Sequence, residues 1–145
     1  MTIEKIATLV AQFQNRTLPI AEWTHEAHLV AAIYYNWDFD EETAFQKMKS
    51  NIITYNRSVG VENTNDAGYH ETITIFWMRL IRKYLNENKF ETIEMACHQF
   101  IQSELSSKDI LLEYYSEDVL FSEKARLEWV EGDIEEFPNN FIKKV

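Results

Sequence analysis

Apolar residues recur at helical spacing along most of the chain. Ile3, Ile6, Leu9, Val10 and Phe13 follow i, i+3, i+4 steps, with Thr2 in the position of a cap. This predicts a first helix ending near Gln14. Asn15 to Trp23 contains Pro19 and reads as a loop. Thr24 then opens a second helix from His25 to about Asn36, very apolar from Ala27 onward. Asp38 or Asp40 caps a third, which carries Ala44, Phe45, Met48, Ile52 and Tyr55 on one side. A fourth runs from about His70 to Asn86, with a broad stripe of Ile73, Phe76, Trp77, Leu80, Ile81 and Tyr84. The fifth spans about Glu91 to Leu105. Ser107 caps a short helix through Tyr115, and Ser116 and Ser122 open two further turns. The tail from Glu131 is acidic, then irregular.

The longest irregular stretch, Ser58 to Tyr69, holds two of the three glycines and the polar run Glu62-Asn63-Thr64-Asn65-Asp66. Loops of this length and polarity carry function more often than regular elements do. No segment alternates with period two for long enough to make a strand. The expected fold is therefore all-α: one helical bundle over residues 1–145, with four to five long helices and short C-terminal ones.

Composition narrows this further. With 145 residues, three glycines and two prolines, the chain has room for one core and few turn signals. Its net charge of −10 repels nucleic acid. The one compact basic cluster, Arg79, Arg82 and Lys83, reads as a solvated helix face. Cys97 is the single cysteine, so no internal disulfide forms, and a buried, inert thiol is expected. His98 follows it directly, but adjacent helical residues do not face each other, which argues against a Cys-His pair. The N-terminal residues do not read as a signal peptide, and the longest apolar run, Leu29–Tyr35, is too short for a bilayer. A cytoplasmic protein without membrane or nucleic-acid partners is the expectation, and its oligomeric state is open.

Candidate chemistry gathers in two phrases, Trp23-Thr24-His25-Glu26-Ala27-His28-Leu29 and Gly68-Tyr69-His70-Glu71-Thr72. Each puts a His-Glu pair at a helix start. His25 and His28 lie three residues apart, about 60° around a helix, and so point the same way. If the helices alternate up and down, the second and fourth start at one end of the molecule, bringing His70 to the pair. Three imidazoles with an open fourth position are a catalytic type of zinc site, and nickel or iron would also accept them. Glu26 or Glu71 could then act as general base or orient a ligand. In a metal-free pocket, His28 and Glu71 form an acid–base pair. Arg57, Asn63 and Asn65 are expected beside a ligand, with Trp77 as a wall and the 58–69 loop as a cover; Asn63 and Asn65 could equally serve to close the loop. Trp23, Trp77 and Trp129 also read as core.

Known motifs fit in part. His25-Glu26-Ala27-His28 is one residue short of His-Glu-x-x-His. Glu22-Trp23-Thr24-His25 has the Glu-x-x-His spacing of di-iron bundles, but Glu22 precedes the cap and no second copy exists. The chain has no phosphate-binding glycine loop and no Gly-x-Ser-x-Gly elbow. A helix N-terminus also disfavours a cation by about 0.3–1 kcal/mol, which leans towards anionic ligands.

The phrases Trp23–Leu29, Asn63–Thr74 and Tyr114–Asp133, the last including Ala125-Arg126-Leu127-Glu128-Trp129-Val130, resemble a family of short, all-helical bacterial proteins with no assigned activity. More loosely, the histidine set is similar to the DinB-like helical bundles. That likeness implies a metal held by three histidines. Those bundles place two histidines four apart on a late helix and the third on an early one; here the pair is three apart and comes first. Two classes of function remain: an enzyme or metalloprotein built on His25, His28 and His70, or a metal-free module that binds a small molecule or a protein at the same end.

Overall fold

In a computed structural model that describes residues 1–136, the chain is all-helical, and no strand occurs among the described residues. Five longer helices come first: α1 (Ile3–Asn15), α2 (His25–Asp38), α3 (Glu41–Ser58), α4 (Glu71–Glu87) and α5 (Ile93–Gln102). Three short ones follow: α6 (Leu111–Tyr114), α7 (Glu117–Leu120) and α8 (Glu123–Leu127). Single 3-10 turns lie at Ile20–Glu22, Glu104–Ser106 and Lys108–Ile110. The end of the tail, residues 137–145, lies outside the described residues.

Side-chain caps set the helix starts. The Thr2, Thr24 and Thr92 hydroxyls accept from the N–H three residues on, as does the Asp40 carboxylate at 2.8 Å from Thr43 N. Asp40, not Asp38, is thus the α3 cap, and α2 runs on to Asp38. Ser116 and Ser122 cap α7 and α8 in the same way. The fourth helix begins one residue later than its pattern suggests, because His70 is itself the cap: its Nδ1 accepts from Ile73 N at 3.1 Å.

Why α2 is so apolar is now plain. It packs against α1, α3, α4 and α5, and Ala27, Leu29, Val30, Ala31, Ala32, Ile33 and Tyr35 are all buried. A helix surrounded by neighbours has no solvent face to make polar. Around it Ile6, Val10, Phe13, Tyr55, Phe76, Ile81 and Phe100 complete a continuous core. Tyr55 is fully buried, and its hydroxyl donates to Leu18 O at 2.7 Å, so no polar atom is stranded there. Arg82 departs from the solvated-face reading: it is half-buried, and its Nη2 donates to Phe39 O at 2.9 Å. Among the described residues no helix is long and apolar enough to cross a membrane.

The C-terminal segment straps the start of α4. His70 Nε2–H donates to Leu120 O at 2.7 Å, and Arg126 Nη1 donates to Gly68 O at 2.8 Å. The buried Thr72 hydroxyl donates to Glu128 O at 2.8 Å and accepts from Val130 N at 3.1 Å. Tyr115 then donates to Val130 O at 2.6 Å. Thr72→Val keeps the shape of the side chain but strands a carbonyl and an N–H. A loss of about 2 kcal/mol is expected, since each buried group left unsatisfied costs about 1–3 kcal/mol. Urea unfolding of the two proteins would measure it; equal midpoints would show that water replaces the hydroxyl.

Candidate functional site

A cavity of about 290 Å³ has a lining that joins the start of α2 to α3 and α4. Its floor is apolar: Leu29, Ala32, Met48, Ile52, Ile73 and Met78. Trp23 and Trp77 form walls, while His25, His28, Thr74 and Lys108 supply the polar atoms. A larger depression, about 490 Å³, lies beside the start of α3. It is bordered by Asp40, Glu41, Glu42 and Arg79; Asp40 is spent on its cap and Glu42 accepts from Gln46.

Both histidines of the cavity have a fixed tautomer. His28 Nδ1 lies 2.7 Å from Thr24 O; a carbonyl can only accept, so Nδ1 carries the proton and Nε2 keeps a bare lone pair. His25 Nε2 lies 2.7 Å from Ser106 O, so in the neutral ring Nδ1 is the bare nitrogen by the same reasoning. The three-residue spacing on α2 puts the rings side by side. Phe13, Trp23 and His28 stack in order, with centroids 4.3 and 3.8 Å apart. His25 meets Trp77 edge to face at 5.3 Å. Each imidazole is thus held by one hydrogen bond and one indole. Burial holds the His28 pKa down to about 4, with the nearby His25 and Lys108 acting in the same direction against the Thr24 bond. At neutral pH His28 is uncharged, an acceptor and a weak base.

His70 does not line this cavity. Its Nδ1 caps α4 and its Nε2–H holds Leu120 O, so both ring nitrogens are used, and burial lowers its pKa. Nor does the 58–69 loop cover the cavity. Glu71 lies elsewhere: its carboxylate accepts from Tyr69 OH at 2.7 Å and pairs with Lys49 at 3.1 Å. No hydrogen bond joins it to His28 among the described residues. The fourth helix points its first turn at the C-terminal segment, which the helical pattern alone does not show. Among the described residues no three His, Cys, Asp or Glu side chains come together as a metal site.

Glu71 instead belongs to a second concavity, a groove of about 340 Å³, together with Arg57, Asn63 and Asn65. Lys49, Ile53, Thr64, Tyr69, Arg126 and Leu127 complete it. Asn63 is the hub of the loop. Its Oδ1 accepts from Asn56 Nδ2 and Tyr69 N, both at 3.0 Å, and its Nδ2 donates to Ile53 O at 3.1 Å. Asn65 is exposed. Trp77 alone of the four expected ligand-binding residues lines the histidine cavity. The sequence reading missed Lys108, Thr74 and the two methionines of that cavity. Met48 carried a core signal through its spacing on α3, and Lys108 carried none.

No protein-family model, curated protein or solved structure matches the chain, so the functional reading rests on the geometry of these two concavities.

Proposed function

We propose that the chain is a small-molecule-binding helical bundle with its ligand in the cavity of His25, His28, Trp23 and Trp77. The observation that carries this is the pair of tautomer-locked imidazoles, each with one bare nitrogen, set in an apolar cavity between two indoles. Acceptors held in place recognise a donor at little ordering cost. The ligand class that fits is a flat aromatic or heteroaromatic ring with an N–H or O–H donor, small enough for a cavity at the low end of ligand sites. Lys108 at the rim suits an acidic substituent on that ring. With a pKa held to about 4, His28 is a poor general base near neutrality, which favours recognition over proton transfer.

The metal reading fits these residues less well. Carbonyl bonds like those of His25 and His28 also orient metal-bound imidazoles, but two nitrogens fall short of the three protein donors of a catalytic zinc site. His70 would have to give up its cap or its bond to Leu120 to supply the third.

One experiment tests both. Untagged protein labelled with ¹⁵N would be titrated with indole-3-carboxylate, benzimidazole and zinc, following the imidazole nitrogens. Binding of either organic probe should shift His25 Nδ1 and His28 Nε2 and leave His70 unmoved. His28→Ala should weaken it about tenfold, the worth of one hydrogen bond of about 1.4 kcal/mol. Stoichiometric zinc binding that moves all three rings would replace this reading with the metal one. No response to any probe would end both.

A further inference from the structure

The groove on the 58–69 loop is a second site, independent of the cavity. In a chain with 24 acidic and 14 basic residues, its lining holds three cations, Lys49, Arg57 and Arg126, against one carboxylate, Glu71. Lys49 neutralises that carboxylate, and Tyr69 OH occupies it further. Asp66, next to the lining residues, accepts from Thr64 OH and does not line the groove. Two guanidinium groups therefore remain uncompensated.

Arg126 is braced through a single nitrogen: Nη1 donates to Gly68 O at 2.8 Å and to Tyr69 O at 3.4 Å. Its Nη2 and Nε have no partner among the described residues. Arg57, in the last turn of α3, is exposed, and its guanidinium makes no bond to any described residue. Around them the loop is fixed on itself and against α3: Val61 N donates to Asn56 O at 2.8 Å, Thr64 N to Ala67 O at 2.9 Å, and the Asn63 amide bonds Asn56 and Ile53 of α3 as well as Tyr69 N. Lys49 is held by Glu71 and by the rings of Phe45 and Tyr69, at 5.9 and 5.5 Å. Two arginines, one at the end of α3 and one on α8, present unspent guanidinium edges beside this fixed loop and so form a cradle for an anion, because an arginine fork grips two oxygens of one oxyanion. The net charge of −10 opposes anions at long range, but salt screens that field beyond about 8–10 Å at physiological ionic strength.

We propose that this groove binds a phosphate group, free or carried as a monoester on a small molecule, with Arg57 and the unused edge of Arg126 as its two forks and Asn65 at its rim. Isothermal titration of the full chain in a phosphate-free buffer tests it. The pH would be about 7.5, where a phosphomonoester with a second pKa near 6 is dianionic. The probes are inorganic phosphate and glycerol 3-phosphate at constant ionic strength. Saturable binding is expected at millimolar concentration or below. Arg57→Gln should weaken it at least about tenfold, with an unchanged urea midpoint because the side chain is exposed; Arg57→Lys should recover part of it as a point charge. Tighter binding of glycerol 3-phosphate would assign the site to an ester, and equal or tighter binding of phosphate to the free ion. Linear, non-saturating heats with both probes, or the same affinity in wild type and Arg57→Gln, would overturn the proposal.

Discussion

Lowering the pH from 6.5 to about 4 is expected to cost the fold about 3 kcal/mol through His28 alone. The sign follows from proton binding. The unfolded chain takes up a proton at this ring near pH 6.5, whereas the folded ring resists until about pH 4. Acid therefore pulls the equilibrium towards the unfolded state across that window. The stability is fully present above the unfolded value and is lost as the pH falls through the folded one. His70, whose pKa burial also lowers, acts in the same sense. Asp40 and Asp133 have carboxyls held below their ordinary value of 3.8 by hydrogen bonds from Thr43 and Ser116, so their contribution is lost at still lower pH. The histidine window is thus separable. Urea midpoints between pH 7 and 4 should fall steeply in wild type and less steeply in His28→Gln. Parallel curves would mean that His28 titrates normally and that its ring is not packed as described.

Gly68→Ala should destabilise the protein by about 3 kcal/mol, combining left-handed strain with a backbone clash. Gly68 has φ +78°, and a Cβ there would lie 2.3 Å from Glu62 O and 2.8 Å from Asn63 Oδ1. The nearest obstacle is main chain, so the loop itself must move. That movement would loosen the Arg126 bond to Gly68 O and the Tyr69 bond to Asn63. Gly60 is the internal control. Its φ is +84°, yet nothing lies within 4 Å of an added Cβ, so Gly60→Ala should cost the strain alone, about 1 kcal/mol. The difference between the two urea midpoints reads the close packing at Gly68. If both variants lose the same amount, that packing contributes nothing.

Helices and their starts were legible because their causes are local. Thr2, Thr24, Asp40, Ser116 and Ser122 each stand one position before an apolar-periodic run and bond to the N–H three residues on. The apolar run of α2 from Ala27 onward was legible, but its place among four neighbouring helices was not. Of the site, the side-by-side placement of His25 and His28 was legible for the same reason, since helical spacing fixes it. What decides the role of each histidine is not local. His25 is oriented by a carbonyl 81 residues away and His70 by one 50 residues away. Nothing in the phrase Gly68-Tyr69-His70-Glu71-Thr72 distinguishes a cap whose ring is fully spent from a ligand with a nitrogen to offer. Glu71 was read as a partner for His28, but Lys49 on α3 and Tyr69 two residues before it claim its carboxylate. The role of Arg126 depends on a loop 58 residues away and left no mark in its own surroundings.

The strap across the start of α4 also orders events in time. During synthesis, α1 to α5 are made before residues 114–130. The buried Thr72 hydroxyl, His70 Nε2–H and the carbonyl of Gly68 all wait for partners supplied by that later segment. A nascent chain can gather its apolar helices around α2 early, while the polar end of α4 and the groove beside it stay wet and unset. The later segment then acts as a latch: the groove between Arg57 and Arg126 closes after the hydrophobic helices have met.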